Sequence, residues 1–177
     1  TAVIGKWHLG QGPEHWPTGF DYYNILQGQG PYFNPEMVCN DEKITYPGYT
    51  TDIITDLSLD WLEKRDPDRP FCLLYQHKAP HRSWEPDEKH AHMYDDVDIP
   101  EPETFNDDYA NRAAAATEAK MRVESDLNDR DLKQPVPEGL TPEEEKSWKY
   151  QRYIKDYLRV VAAVDDNVGR VLDYLDE

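Results

Sequence analysis

Two basic clusters in this chain have residue types and spacings suited to chemistry. The first is Lys6 and His8, two residues apart in the opening segment Thr1-Ala-Val-Ile-Gly-Lys-Trp-His-Leu-Gly10. The second is Gln76-His-Lys-Ala-Pro-His-Arg82, which carries His77, Lys78, His81 and Arg82. Lysine is a compact point charge with three donors, matched to an oxyanion such as sulfate or phosphate. Histidine can hydrogen-bond a nucleophile or exchange a proton near neutral pH. Two segments that each deliver Lys and His fit two walls of one anionic site.

A zinc site is the competing reading. His77 and His81 are four apart, the spacing that sets two ligands on one helical face. Pro80 between them disfavours helix, and no third ligand is obvious, because His90 and His92 fall in an acidic stretch. The anion reading is preferred.

The elements that must hold these groups are strands. A β-branched run at 2–4 stops at Gly5, and an apolar run at 71–75 ends just before His77. Strand ends of an open α/β sheet are where such folds bind ligands. Between them, residues 11–48 are rich in Gly, Pro and aromatics and read as a long ordered loop. A helix is expected at 52–65, with Thr50 and Thr51 as capping candidates and Ile53, Ile54, Leu57, Trp61 and Leu62 on one face. Cys72, inside the second apolar run, reads as a buried thiol.

Residues 86–147 are acidic and proline-spotted and read as an exposed, partly helical excursion, with one helix near 107–127. The last helix has the strongest periodicity, with apolar residues from Trp148 to Leu175 at the 3.6-residue repeat. Thr141-Pro-Glu-Glu144 is its start signal. Asp165, at the edge of that stripe, is expected to be a hydrogen-bonded structural carboxylate.

The formal charge is −17, from 36 acidic and 19 basic residues. That balance opposes non-specific attraction to nucleic acid or to an anionic membrane, so an anionic substrate must be captured by a local cluster. No apolar run approaches the ~18 residues of a membrane helix, and two cysteines make no disulfide framework. The chain starts inside a strand and ends just after a helix pattern, so residues 1–177 are expected to be a piece of one larger domain.

Three landmarks in one order carry a family resemblance. Gly5-Lys-Trp-His-Leu-Gly10 followed by Pro17-Thr-Gly-Phe-Asp21 resembles the second signature of the type I sulfatases, in the alkaline phosphatase superfamily. Pro70-Phe-Cys-Leu-Leu-Tyr-Gln-His-Lys-Ala-Pro-His-Arg-Ser-Trp-Glu-Pro86 resembles the family's later histidine loop. Tyr157-Leu-Arg-Val-Val-Ala-Ala-Val-Asp-Asp-Asn-Val-Gly169 resembles the helix before its second metal-binding strand. The style is closest to bacterial N-acetylglucosamine-6-sulfatase-like enzymes.

The resemblance implies an α/β fold, part of an alkaline-phosphatase-like sandwich with a mostly parallel or mixed central sheet flanked by helices. It implies hydrolysis of sulfate esters on a sugar or glycan. By the same resemblance Lys6 would contact the sulfate and His8 would hold the nucleophile's hydroxyl. His81 would protonate the leaving sugar oxygen or bind the sulfate. His77, Lys78, Arg82 and Trp84 become candidates for the substrate wall.

The family also implies calcium, a formylglycine made from Cys or Ser in C/S-x-P-x-R, and a formylglycine-generating (sulfatase-maturating) enzyme as partner. A periplasmic, secreted or lysosomal setting is the family habit. Neither Cys39-Asn-Asp-Glu-Lys43 nor Cys72-Leu-Leu-Tyr-Gln76 fits the formylglycine motif. Nucleophile and metal ligands are therefore expected outside these residues, and the isolated segment is expected to be inert. A phosphatase or phosphodiesterase of the superfamily, or a degenerate domain that binds sulfated glycans, is the alternative.

Overall fold

A computed structural model describes residues 1–177. The chain divides into two compact units, residues 1–81 with 160–177, and residues 82–159.

The first unit is built on a five-stranded mixed sheet. Its strands are β1 (Ala2–Trp7), β2 (Tyr22–Gln27), β3 (Glu36–Cys39), β4 (Glu42–Thr45) and β5 (Leu73–Gln76), in the order β4-β3-β2-β1-β5. β1 pairs in parallel with both β2 and β5, while β2–β3 and β3–β4 are antiparallel. Successive side chains in a strand point to opposite faces, and the core follows that alternation. Ile4, Leu26 and Met37 cover one face and pack against Ile53 and Ile54 of helix α1 (Thr50–Lys64). Val3, Tyr23, Ile25 and Val38 form the other face, with Trp7, Trp16 and Phe20 packed against them. Each fully buried aliphatic of this kind contributes roughly 1.5–3 kcal/mol.

Several sequence expectations change here. β1 continues through Gly5 to Trp7 rather than turning there, so Lys6 is a strand residue. Residues 11–48 contain three strands, not one long loop. Thr50 and Thr51 do not cap α1, since Tyr49 occupies the N-cap without a side-chain cap. Instead the Thr50 amide donates to the Tyr32 carbonyl at 2.8 Å and its hydroxyl to the Pro31 carbonyl at 2.9 Å. Cys72 is exposed, because β5 starts one residue later and forms the sheet's edge.

Helix α5 (Pro142–Asp176) runs 35 residues. Its start is a reciprocal cap: the Thr141 amide donates to Glu144 at 2.8 Å, and the Glu144 amide donates to the Thr141 hydroxyl at 3.3 Å. Its last turns belong to the first unit, where Asn167 donates to Asp52 at 2.7 Å and Arg170 pairs with Asp56. Asp165 is exposed, and Asn167 is the buried polar group of that stretch.

Residues 86–147 are mostly exposed, and the second unit is held by aromatic packing that lies largely beside that stretch. Trp84, Tyr153, Tyr150 and Phe105 form a run of ring contacts with centroids 5.1–5.8 Å apart. The helix expected at 107–127 is reduced to α2 (Ala114–Glu118) and α3 (Val123–Asp126), followed by α4 (Asp129–Leu132). Alanine propensity without an apolar face does not sustain a helix of that length. Here the Arg122 side chain takes the carbonyls of Ala116, Thr117 and Ala119 and closes the first piece. No helix of the chain is long and apolar enough to cross a membrane.

Candidate active site

The three parallel strands β2, β1 and β5 lie side by side, so their C-terminal ends emerge at one end of the sheet. The last paired positions of β1 and β5 are Gly5 and Gln76, so Lys6 and His77 come next on adjacent strands. Open α/β sheets bind ligands at the carboxyl ends of their strands.

Lys6 is half-buried, and its ammonium donates to Gln29 Oε1 at 2.6 Å. Partial burial pulls its pKa below the ordinary lysine value, because the charged form loses hydration. His8 lies one residue beyond β1 and is exposed. Its loop is pinned by the Trp7 indole, which donates to the His15 carbonyl at 2.8 Å.

On the neighbouring strand end, Lys78 is only 5% exposed, with its ammonium 4.2 Å from the centroid of the Tyr32 ring. A cation over an aromatic face is stabilised by the ring quadrupole. The Ala79–Pro80 bond is cis, and the His81 amide donates back to the Lys78 carbonyl at 3.1 Å to close a turn. The His81 side chain is exposed, while its carbonyl accepts the Tyr32 hydroxyl at 2.5 Å. Lys6, His8, Lys78 and His81 thus gather at one end of the sheet in a chain of net charge −17.

Three of the expected wall residues are packed or paired within the protein. Both His77 ring nitrogens are shut away from solvent without a hydrogen-bond partner, and the ring packs edge-on against Tyr75 at 4.4 Å. Burial pulls its pKa down to about 4, so the imidazole is neutral. Arg82, in the second unit, is gripped by Asp131 and by the Asp126 carbonyl. Burial pushes the Asp131 carboxyl up, but the bonds from Arg82 and the Asn128 amide outweigh it and hold it below the ordinary range. Trp84 is 7% exposed and packs at a tilt against Tyr153. His77 and Trp84 are thus packed within the fold, and Arg82 is held in an ion pair. A charged side chain so fully engaged has few donors left for a substrate.

Gln29 and Tyr32 were missed from sequence. The only signal was Gln27-Gly-Gln-Gly30, a polar residue between glycines, and its place beside Lys6 required recognising β2.

No group of three His, Cys, Asp or Glu side chains in the chain could hold a metal ion. Neither cysteine stands in C/S-x-P-x-R. The residues present therefore do not fit a calcium site or a formylglycine.

Residues 1–177 match the Sulfatase family model. An N-acetylglucosamine-6-O-sulfatase of Bacteroides thetaiotaomicron is 38% identical over 220 aligned residues that take in the whole chain and 39% of that protein. The human N-acetylglucosamine-6-sulfatase is 26% identical over 62% of the chain and 21% of its own length. A solved structure of BT4656 in complex with its substrate D-glucosamine-2-N,6-O-disulfate superposes with a TM-score of 0.91 at 37% identity, over 99% of the chain and 43% of that one. The chain therefore spans less than half the length of these relatives.

Proposed function

Because this chain belongs to the sulfatase family, we propose that the full-length protein hydrolyses a sulfate ester on an amino sugar, releasing inorganic sulfate. The observation that carries this reading is the convergence of Lys6 and the Lys78–His81 turn at the ends of adjacent parallel strands, in a fold shared with a substrate-bound relative.

The roles follow from the chemistry of each group. Lys6, held by Gln29 and partly desolvated, meets the sulfate oxygens, where negative charge builds in the transition state. His8 takes or returns a proton at the attacking oxygen, and His81 donates one to the departing sugar oxygen. A sugar alkoxide is a poor leaving group, so proton donation at that oxygen matters most for this substrate class. Calcium and formylglycine, which the family suggests in general, would be supplied by residues outside these 177, and no step above depends on them. On the same family grounds, a formylglycine-generating partner and a periplasmic or secreted setting belong to this reading.

The test is sulfate release by the purified full-length protein from glucosamine-6-sulfate and N-acetylglucosamine-6-sulfate, with the matching sugar phosphates as controls. Sulfate release alone is the expected result. Hydrolysis of the phosphates only would move the protein to phosphoryl transfer, and silence on all four would leave a binding domain.

A further inference from the structure

The five residues after β2 bracket both walls of the site. Gln29 accepts from the Lys6 ammonium at 2.6 Å, and Tyr32 reaches two residues of the opposite wall. The Tyr32 hydroxyl donates to the His81 carbonyl at 2.5 Å, and its ring lies under the Lys78 ammonium at 4.2 Å. Tyr32 is itself held firmly. It is 1% exposed, its ring stacks on Tyr49 with centroids 6.2 Å apart, and its carbonyl accepts the Thr50 amide at the start of α1.

We propose that Tyr32 is a positioning residue for His81, setting the backbone from which the exposed imidazole projects. The inference rests on the reading of His81 as the proton donor. The backbone that carries the exposed His81 ring is held at its amide by the Lys78 carbonyl and at its carbonyl by the Tyr32 hydroxyl. Removing the Tyr32 hydroxyl releases that carbonyl and loosens the backbone under the donor without touching Lys6.

The variant Tyr32→Phe deletes the hydroxyl and keeps the ring under Lys78. In the full-length enzyme we expect turnover of the sugar sulfate to fall ~5-fold, the worth of one ordinary hydrogen bond. KM stays unchanged. With 4-nitrophenyl sulfate, whose leaving group needs no proton, turnover stays within ~2-fold of the wild type. A general loss of structure would lower both substrates alike. Equal losses on the two, or no loss on either, overturn the proposal.

His81→Asn is the control for the premise. If it shows no selective loss on the sugar sulfate, the reading of His81 fails rather than that of Tyr32. Amide hydrogen exchange provides an arm independent of activity. Exchange at residues 78–82 is expected to speed up in Tyr32→Phe while the β1 and β2 amides keep their protection, and unchanged exchange at 78–82 overturns the proposal even in an inactive protein.

Discussion

Gly5 lies directly opposite Gln76 in the parallel pairing of β1 with β5, so close that a Cβ on Gly5 would fall 1.9 Å from the Gln76 carbonyl oxygen. With φ at +112°, Gly5 also occupies backbone space that L side chains rarely enter. Two independent constraints at one position let the two strands approach and carry Lys6 and the 77–81 loop to the same sheet end.

Gly5→Ala should therefore be costly on both counts. Strain at such a φ is worth roughly 1–3 kcal/mol, and the clash forces β1 and β5 apart. We expect a loss of at least ~2 kcal/mol in the urea unfolding of the full-length protein. Activity should fall further than stability, since separation of the strands moves Lys6 away from His81. A variant with wild-type midpoint and activity would contradict this account of the pairing.

Lys6→Ala should lower kcat/KM by about 10²–10³-fold, the usual cost of removing one group that stabilises transition-state charge. Lys6→Arg should not restore it, because a planar fork does not reproduce a compact ammonium held at 2.6 Å by Gln29. Burial lowers the Lys6 pKa, so its charge is lost at a lower pH than an ordinary lysine's. Inhibition by inorganic sulfate should accordingly weaken earlier on the alkaline side in the wild type than in Lys6→Arg. Inhibition constants measured across the alkaline range decide it.

His77 should make the fold acid-sensitive within a defined window. Its pKa falls from 6.5 to about 4 on burial, so between these values the unfolded chain binds the proton and the folded chain does not. Stability is therefore at its full value above 6.5 and falls as pH drops toward 4. A shift of that size corresponds to about 3 kcal/mol. His77→Leu removes both the titration and two unpartnered buried nitrogens. It should be neutral or stabilising at pH 7 and lose less stability than the wild type on acidification. Urea midpoints for both proteins across that window report the difference, and parallel curves would dismiss His77 as the source.

Asp156 should hold the second unit together. Its carboxylate is 1% exposed and bonds Lys133 and Arg152 at 2.7 and 2.8 Å through one oxygen and Arg159 at 2.8 Å through the other. Removing one partner of a buried ionic network typically costs about 3–5 kcal/mol. Asp156→Ala takes the shared carboxylate from Lys133 and Arg152, leaves Arg159 with Asp95 alone, and should expose residues 82–159 to hydrogen exchange. Protection in the sheet should persist, because its core of Ile4, Leu26 and Met37 packs on α1 instead. Uniform loss of protection across both units would show that they unfold as one.

Much of this protein is written locally. The alternation of apolar residues along 148–175 and the Thr141–Glu144 cap specify α5, because a helix is set by neighbours three and four positions away. The pairing of Lys and His in two separate segments pointed to an anion site by residue type alone, whereas Gly5, read as a strand end, proved to be the point of close approach between two strands. β2, β3 and β4 were not legible. Buried Asn24 interrupts the apolar run of β2, and the strands at 36–39 and 42–45 are four residues each, with β4 exposed throughout.

Which side chains complete the site was decided only in three dimensions. Arg82 finds Asp131 and Tyr32 finds His81 across 49 residues each, while His77, similar to His81 by sequence, turns its nitrogens inward against Tyr75. Residue type fixes what a group can do. Its burial and its partner come from packing between distant segments, and here that packing leaves His81 exposed while it closes the His77 ring nitrogens off from solvent.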